Sequence, residues 1–315
     1  RRPPRSTPSN SSAASDVYKR QVYRMGVEFR EYLMHTDTPI TVEAPIFRSV
    51  DEVEKFASRL KGYKTSKYIG GVNVVNYPFG RLTPDPVLVG CLFKRYIDLE
   101  PILHIPSSLE SKYTLVRTLY SLSICGIRNI LLLGGDVKTE YGLKLDEAFN
   151  YIKQFSEGYI DLEHSRLSVE RFHFHVGGAA ILDRENEVDR IIWKIRMGMK
   201  FFQTQYIYDY NLIREVLTKL DAQLTELNLD TKVPMLLGIL PYLDEDIRGI
   251  LGRIGLNMFT KYDTREYRRY IDTLISGLIK LRDSIGVIKI GFHFMPIRWK
   301  DEVYEEISKI IESLI

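Results

Sequence analysis

The sequence predicts a single (β/α)8 TIM barrel, and three of its features predict this fold. Eight short apolar runs recur along the 315 residues, and helix-like segments separate them. Strands that alternate with helices pair in parallel, and eight such units can close a barrel. The runs are continuously apolar, which is typical of parallel strands buried on both faces. A doubly wound open sheet would want a glycine-rich turn after the first strand, where the chain instead reads Glu43-Ala44-Pro45-Ile46. The predicted strands are 40–42, 71–75, 101–103, 130–133, 172–176, 201–204, 235–237 and 288–292.

Helices are predicted between these strands from apolar residues that recur with a period of 3.6. Two of them are predicted to begin at a capping box, at residues 49–52 and 107–110, where a serine and a following glutamate satisfy free backbone N–H groups. Gly126 is a predicted stop signal. The apolar stripes cover 50–60, 115–122, 145–155, 188–199, 267–278 and 307–314.

The first 21 residues differ from the rest of the chain in composition. Residues 1–21 are rich in Ser, Pro and Arg and have no apolar period, and they resemble translated adaptor sequence. We expect them to be a disordered, non-native tail, and residues 22–315 to form one catalytic barrel domain. This tail carries five basic residues and one acidic residue, which leaves 39 basic and 40 acidic residues in the barrel domain.

The composition excludes several classes of protein. Without the tail the chain has no basic surplus, so no nucleic-acid partner is predicted. No apolar run reaches about 18 residues, so no membrane span is predicted. Cys91 and Cys125 are too few for a disulfide framework and lack metal-site spacing, so a reducing, cytoplasmic setting is expected. The oligomeric state stays open, with a homo-oligomer as one option.

Most predicted strands end in a residue that can do chemistry, and in a (β/α)8 barrel these strand ends build the active site. Glu43 ends the first strand, either as a general acid or as the partner of a basic neighbour. His104 ends the third strand. Gly134, Gly135 and Asp136 end the fourth, where two glycines either let a ligand approach the backbone or form a tight turn.

Two glutamines, Gln203 and Gln205, are expected to face the same way on the sixth strand. Amides inside a barrel must be hydrogen-bonded. They either bond each other and the backbone or bind a polar heterocycle such as a pterin, because an amide offers both a donor and an acceptor.

A pair of histidines keeps a metal-dependent barrel hydrolase open as an alternative function. His173 and His175 point to one side of the fifth predicted strand. Such a pair can begin a metal site if other strands add ligands, and His104, His293 and Asp136 could supply them. The other interpretation is two packing histidines and no metal.

Five motifs, taken in order, resemble the methylenetetrahydrofolate reductase family. Residues 126–136 read Gly-Ile-Arg-Asn-Ile-Leu-Leu-Leu-Gly-Gly-Asp and resemble its Gly-Ile-x-x-Ile-x-x-Leu-Arg-Gly-Asp stretch. The family's Tyr-Pro-x-x-His-Pro after strand five is absent. Val42-Glu43 resembles the family's Phe-Glu-Phe strand end, and residues 201–209 resemble its Thr-Gln-Phe-Phe-Phe-Asp segment. Residues 238–241 resemble its Pro-Gly-Ile-x-Pro loop, and residues 292–294 resemble its Phe-His-Phe.

The resemblance implies a flavin-bearing barrel, an oxidoreductase of one-carbon metabolism that acts on CH–NH donors and serves methionine biosynthesis. NADH or NADPH would reduce FAD, and the flavin would pass hydride to 5,10-methylenetetrahydrofolate, or to a related methylene-pterin, to give the 5-methyl form. Folate or a related pterin is thus the implied substrate. The departures from the family also fit a non-catalytic pterin-binding subunit of a methyl-transfer system.

The resemblance also implies a role for individual residues. Glu43 would be the acid that opens the methylene bridge to an iminium, and Asp136 would lie near the flavin ring and the pterin. Gln205 would bind the pterin, and Arg298, which lies one position from the family's arginine after the last strand, would also bind the substrate. The implied flavin-binding residues are Asn76, His104, Gly134, Gly135, Asp136, Glu187, Arg190 and Lys194.

Overall fold

A computed structural model describes residues 28–315 apart from 97, 98, 136, 138 and 230. The predicted tail, residues 1–21, lies outside the described residues, and so does Asp136. The expectations for both therefore stay predictions.

Eight parallel strands close into a barrel, as predicted, in the order β1-β10-β9-β8-β7-β4-β3-β2. A separate antiparallel hairpin, β5 with β6, stands outside the barrel. The strands are β1 (Ile40–Glu43), β2 (Ile69–Val74), β3 (Glu100–Pro106), β4 (Asn129–Leu133), β5 (Tyr159–Leu162), β6 (Ser165–Ser168), β7 (His175–Ala180), β8 (Phe201–Tyr206), β9 (Val233–Ile239) and β10 (Ile288–Phe294).

Helices surround the barrel and bury one apolar face each. Among the described residues, no helix is long and apolar enough to cross a membrane. The helices are α1 (Phe29–His35), α2 (Val50–Gly62), α3 (Pro86–Tyr96), α4 (Lys112–Ile124), α5 (Leu145–Glu157), α6 (Glu187–Met197), α7 (Tyr210–Glu226), α8 (Glu245–Arg253), α9 (Thr264–Arg282) and α10 (Asp301–Leu314).

The first predicted helix start is confirmed and the second is wrong. Helix α2 begins after Ser49, whose hydroxyl accepts from the Glu52 amide. Helix α4 begins after Ser111 instead of Ser107, and residues 107–109 form a 3-10 turn. The carbonyl of the predicted cap, Ser107, accepts from the Leu143 amide at 3.0 Å. Ser108 donates through its amide and its hydroxyl to the carbonyls of Gly134 and Val137 in the loop after β4, and these contacts hold the two serines in a turn.

The fifth barrel strand begins three residues later than predicted. Phe172 and Phe174 lie before it and pack against each other at a ring distance of 5.0 Å. Gly177 and Gly178, which follow the predicted run, lie inside β7, where a Cβ on Gly177 would come within 2.4 Å of the Phe201 ring. Glycine is therefore needed at this point for packing and not for a turn.

The barrel interior has an apolar lower part at the N-terminal ends of the strands. Helix α1, which the sequence analysis did not predict, closes this end. Its side chains Phe29, Tyr32 and Leu33 are buried and complete one cluster with four strand residues, Ile102, Leu131, Phe201 and Leu236. The upper part of the interior, toward the carboxyl ends of the strands, is polar.

A disulfide joins Cys91 on α3 to Cys125 at the end of α4, with 5.8 Å between the Cα atoms. The sequence analysis did not foresee this bond. The two cysteines are 34 residues apart, and the loop that they close contains β3.

Candidate functional site at the barrel mouth

A layer of polar side chains lies inside the carboxyl end of the barrel. Thr41 and Glu43 are two residues apart on β1, so both point inward. The register pairs Thr41 with His293 on β10, and Glu43 with Asn73 on β2. His104, which lies inside β3 instead of at its end, completes this group. We call these five residues the mouth cluster.

Hydrogen bonds connect the mouth cluster across four strands. Thr41 Oγ1 lies 2.9 Å from His293 Nδ1, and Asn73 Nδ2 lies 3.4 Å from the same nitrogen. On its other side, Asn73 Oδ1 lies 3.0 Å from His104 Nε2. His293 Nε2 faces Glu43 Oε2 at 3.8 Å. The carboxylate therefore ends a connected polar network.

Glu43 and His104 are the two members of this network that are partly exposed to a ligand. The Glu43 side chain is 23% exposed, against 2% for that of His293, and Asn73 is fully buried. The buried residues hold the carboxyl group in place while its tip faces the mouth. Such a group can give a proton to a bound ligand.

Burial fixes the protonation of two neighbours of Glu43. It lowers the pKa of His104 to about 4, although the nearby Glu43 charge raises it. His104 is thus neutral near pH 7. Burial and the Glu43 charge together raise the pKa of Tyr206, so its phenol keeps its proton and donates to the Met295 carbonyl at 2.8 Å.

The two glutamines of β8 do not share one environment. Gln203 is 3% exposed, and its Nε2 lies 3.4 Å from Thr41 Oγ1. Among the described residues its Oε1 is buried without a hydrogen-bond partner. Gln205 is exposed, because the register of β8 on β9 shifts between Gln203 and Tyr206. Gln205 thus lies at the rim, and Gln203 adds an unpaired acceptor below it.

A backbone hydrogen bond and close packing hold the loop after β4 against the turn after β3. Gly134 accepts from the Ser108 amide at 3.2 Å. Gly135 has a φ of +84°, and a Cβ there would lie 2.3 Å from Ser108 Oγ. Glycine is therefore required at 135 for both conformation and space. Asp136, the next residue in the sequence, lies outside the described residues.

Trp299 and Arg298, after β10, have different partners. The Trp299 indole donates to the Glu43 carbonyl at 3.1 Å, and its ring packs against Phe56. Arg298 bonds to Asp246 at 2.8 Å on α8. The sequence analysis proposed Arg298 for substrate binding, but Trp299 is the one that contacts the backbone of Glu43.

The three residues predicted on α6 separate into a buried pair and an exposed arginine. Glu187 accepts from the Ile181 amide at 3.1 Å, and Lys194 donates to the Ala179 carbonyl at 2.5 Å. Their charged groups lie 3.7 Å apart, and the side chains are only 1% and 11% exposed. Burial lowers the pKa of Lys194, while Glu187 opposes that shift. Arg190 is exposed.

Two asparagines, Asn73 on β2 and Asn76 after it, lie in different surroundings. Asn76 lies two residues beyond the strand and is half-buried. Asn73 is the residue that contacts both histidines, and the sequence analysis did not single it out. The sequence did carry an indication of this role. Asn73 is a single amide in the middle of an apolar strand, and a buried amide must find hydrogen-bond partners inside the barrel.

The histidines proposed for a metal site lie at opposite ends of the barrel. His173 precedes β7 and is exposed, and His175 begins β7 at the N-terminal end, where its ring packs against Phe29. His104 and His293 lie at the carboxyl end. Within the described part of the chain, no three metal-binding side chains come together. The expected His173–His175 centre is therefore not formed by these residues.

Comparison with known families decides the affiliation of this barrel. The model of the methylenetetrahydrofolate reductase family matches residues 29–244, from α1 to the cap of α8. The chain belongs to the methylenetetrahydrofolate reductase family. The match includes Glu43, Asn73 and His104 and ends before β10. Membership supports a folate-related function of this type.

A solved structure shares the fold of this reductase-family member. It is an uncharacterized protein from Clostridium thermocellum described as binding two copies of 5-methyl-5,6,7,8-tetrahydrofolic acid. The two are 17% identical, with a TM-score of 0.66, over 88% of this chain and 95% of that chain. No curated protein matches the chain.

The residues on α6 do not fit the flavin that the family typically uses. Glu187 and Lys194 would have to bind its ribityl and phosphate groups. Lys194 already bonds to the backbone at the end of β7 and Glu187 to the backbone just after it, and the two side chains present almost no surface to a ligand. Only Arg190 is free at the surface. These side chains stabilise the turn instead.

Proposed function

We propose that this protein reduces a methylene group carried by folate, or by a related pterin, to a methyl group. A reduced nicotinamide, NADH or NADPH, is the direct hydride donor. The observation that carries this proposal is the half-buried Glu43 at the end of a buried network, in a chain of this family. No step runs through flavin, because the residues on α6 do not fit it.

Glu43 supplies the proton of the reaction. In its acid form it gives a proton to N10 of the methylene-pterin as the bond from N10 to the methylene carbon breaks. The electrons of N5 form a double bond to that carbon, which gives an iminium. A hydride from C4 of the nicotinamide then adds to the carbon, and N5 carries a methyl group. Glu43 regains its proton from solvent, which its exposed tip allows.

Two glutamines, one at the rim and one below it, support the binding of a pterin. Gln203 has a buried oxygen without a partner among the described residues, and a ring N–H of the ligand would satisfy it. Gln205 lies exposed above it and can bond the same heterocycle. The neighbour of similar fold is described as binding 5-methyltetrahydrofolate, the product of the proposed reaction.

The substitution Glu43→Gln tests the role of the acid. The amide keeps the size of the side chain but has no acidic proton. We expect kcat for methylene-pterin reduction to fall about 10²- to 10⁴-fold, the usual contribution of general acid catalysis. The KM for the nicotinamide should change little. Steady-state kinetics with methylenetetrahydrofolate measure both.

A matched control is Glu305→Gln, at an exposed position on α10 that should leave the rate unchanged. Turnover of the Glu43 variant close to that of the parent would remove Glu43 from the mechanism. A parent protein that binds 5-methyltetrahydrofolate but never reduces the methylene form would favour the alternative, a non-catalytic pterin-binding subunit.

A further inference from the structure

Asn73 lies between the two histidines of the mouth cluster and is fully buried. We propose that Asn73 is a positioning residue that sets the tautomer of His104 and supports the tautomer that Thr41 sets in His293. His293 then presents an N–H to Glu43, and His104 presents a bare nitrogen to a ligand N–H. The role of Glu43 and of the ligand rests on the proposed function, whereas the two tautomers do not.

The tautomer of His293 follows from the donors around its Nδ1. Gln203 Nε2 donates to Thr41 Oγ1 at 3.4 Å, so the hydroxyl directs its own hydrogen to His293 Nδ1 at 2.9 Å. Asn73 Nδ2 is a second donor to the same nitrogen, at 3.4 Å. Because two donors face Nδ1, it carries no hydrogen. The ring hydrogen is therefore on Nε2, which faces Glu43.

The tautomer of His104 follows from the other end of the same amide. With its nitrogen directed at His293, Asn73 offers an oxygen to His104 Nε2 at 3.0 Å. An amide oxygen only accepts, so Nε2 of His104 must carry the hydrogen. Nδ1 of this neutral ring is then a bare acceptor. Flat nitrogen heterocycles such as pterins have ring N–H groups that can donate to it.

The Asn73 amide therefore contacts both rings, which have the same tautomer but face different groups. A carboxylate at position 73 could accept from His104 but could not donate to His293, and an aliphatic side chain could do neither. The reversed network, with both amides turned over, would place the hydrogens of His104 and His293 on Nδ1. Glu43 would then face a bare nitrogen. The two networks can be told apart by experiment.

Nitrogen-15 NMR of the histidine rings makes this distinction in the full-length protein. The six histidines are assigned by single substitutions. We expect the ring hydrogen of His104 and that of His293 to be on Nε2, with Nδ1 bare in both rings. Either ring with the hydrogen on Nδ1, or as a cation, overturns the proposal. This measurement needs no variant at position 73.

Two variants assign each tautomer to its cause. In Asn73→Leu, His104 should lose the pure Nε2–H pattern and become a mixture, while Thr41 still holds His293. In Thr41→Val, His293 should become the mixture. Asn76→Leu, three residues further along the chain, is the matched control and should leave both patterns intact. Unchanged signals of His104 in folded Asn73→Leu would contradict the proposal.

A ligand titration tests the acceptor role separately. Addition of 5-methyltetrahydrofolate to the labelled protein should shift the His104 Nδ1 signal upfield, because a bare nitrogen gains a hydrogen bond. Binding without that shift overturns the acceptor role of His104. Absence of binding also overturns it and counts against the proposed function, while the tautomers still decide the role of Asn73.

Discussion

Two half-buried histidines at opposite ends of the barrel respond to pH in the same direction. The pKa of His175 is lowered to about 4, mainly by burial and further by the positive charges of Arg30 and Lys200. The pKa of His104 is lowered to about 4 as well, again mainly by burial. Both residues take up a proton near pH 6.5 when the chain is unfolded.

The sign of the effect on stability follows from these values. As the pH falls below 6.5, the unfolded state binds a proton that the folded state refuses until about pH 4. The free energy of unfolding therefore decreases with falling pH in this window. Between pH 7.5 and pH 5, each such histidine should cost about 2 kcal/mol.

The substitution His175→Phe tests this dependence at a position remote from the mouth. A phenyl ring can keep the contacts with Phe29 and Phe201 but cannot bind a proton. Urea unfolding at pH 7.5 and pH 5 should show about 2 kcal/mol less pH-dependent loss than in the parent. The exposed His164 provides the control, His164→Phe. An equal loss in the His175 variant and the parent would contradict the low pKa.

At the level of elements, the disulfide is the feature that most affects stability without contacting the mouth. It connects α3 to the end of α4, and the chain between its cysteines contains β3 with His104. A crosslink that closes a loop restricts mainly the unfolded chain. Its loss should therefore lower stability more than it changes the mouth.

The double variant Cys91→Ser, Cys125→Ser should lose at most about 3–4 kcal/mol of unfolding free energy, from the 34-residue separation of the cysteines. A reducing agent should lower the stability of the parent in urea unfolding and leave the double variant unaffected. Two titratable thiols in the untreated native protein would contradict the pairing.

Strands were predicted correctly where a continuous apolar run reflects a strand that is buried on both faces. β1 and β4 fall where their apolar runs predict, because each packs between the interior and a helix. The start of β7 was wrong because the alternation of Phe172 and Phe174 imitates a strand. In the fold these rings cover the outside of the barrel beside Phe155.

The candidate site was only partly predictable for a related reason. Glu43 and His104 could be found because strand ends meet at one end of a barrel. Asn73 and Trp299 could not, since their roles depend on register and on a loop that returns from β10 to β1. The period of the apolar residues tells which side of a strand faces the interior. It does not tell which residue of another strand lies opposite, because that depends on how the barrel closes.

At the scale of the whole molecule, the residues that fill the core and the polar residues of the candidate site lie at opposite ends of the barrel. The N-terminal end is filled by α1 and an apolar cluster, and the carboxyl end holds the mouth cluster. This division is the usual one in (β/α)8 enzymes. The family match spans both ends, from residue 29 to residue 244. The central claim is that this mouth brings a nicotinamide and a methylene-pterin together.

The most direct test is to follow a deuterium label from the nicotinamide to the product. The protein, purified without added flavin, is incubated with methylenetetrahydrofolate and NADH or NADPH deuterated on either face of C4, and the product is analysed by mass spectrometry. The account predicts 5-methyltetrahydrofolate with one deuterium in the methyl group, from one of the two faces only. A methyl product without label, or a requirement for added FAD, would contradict it.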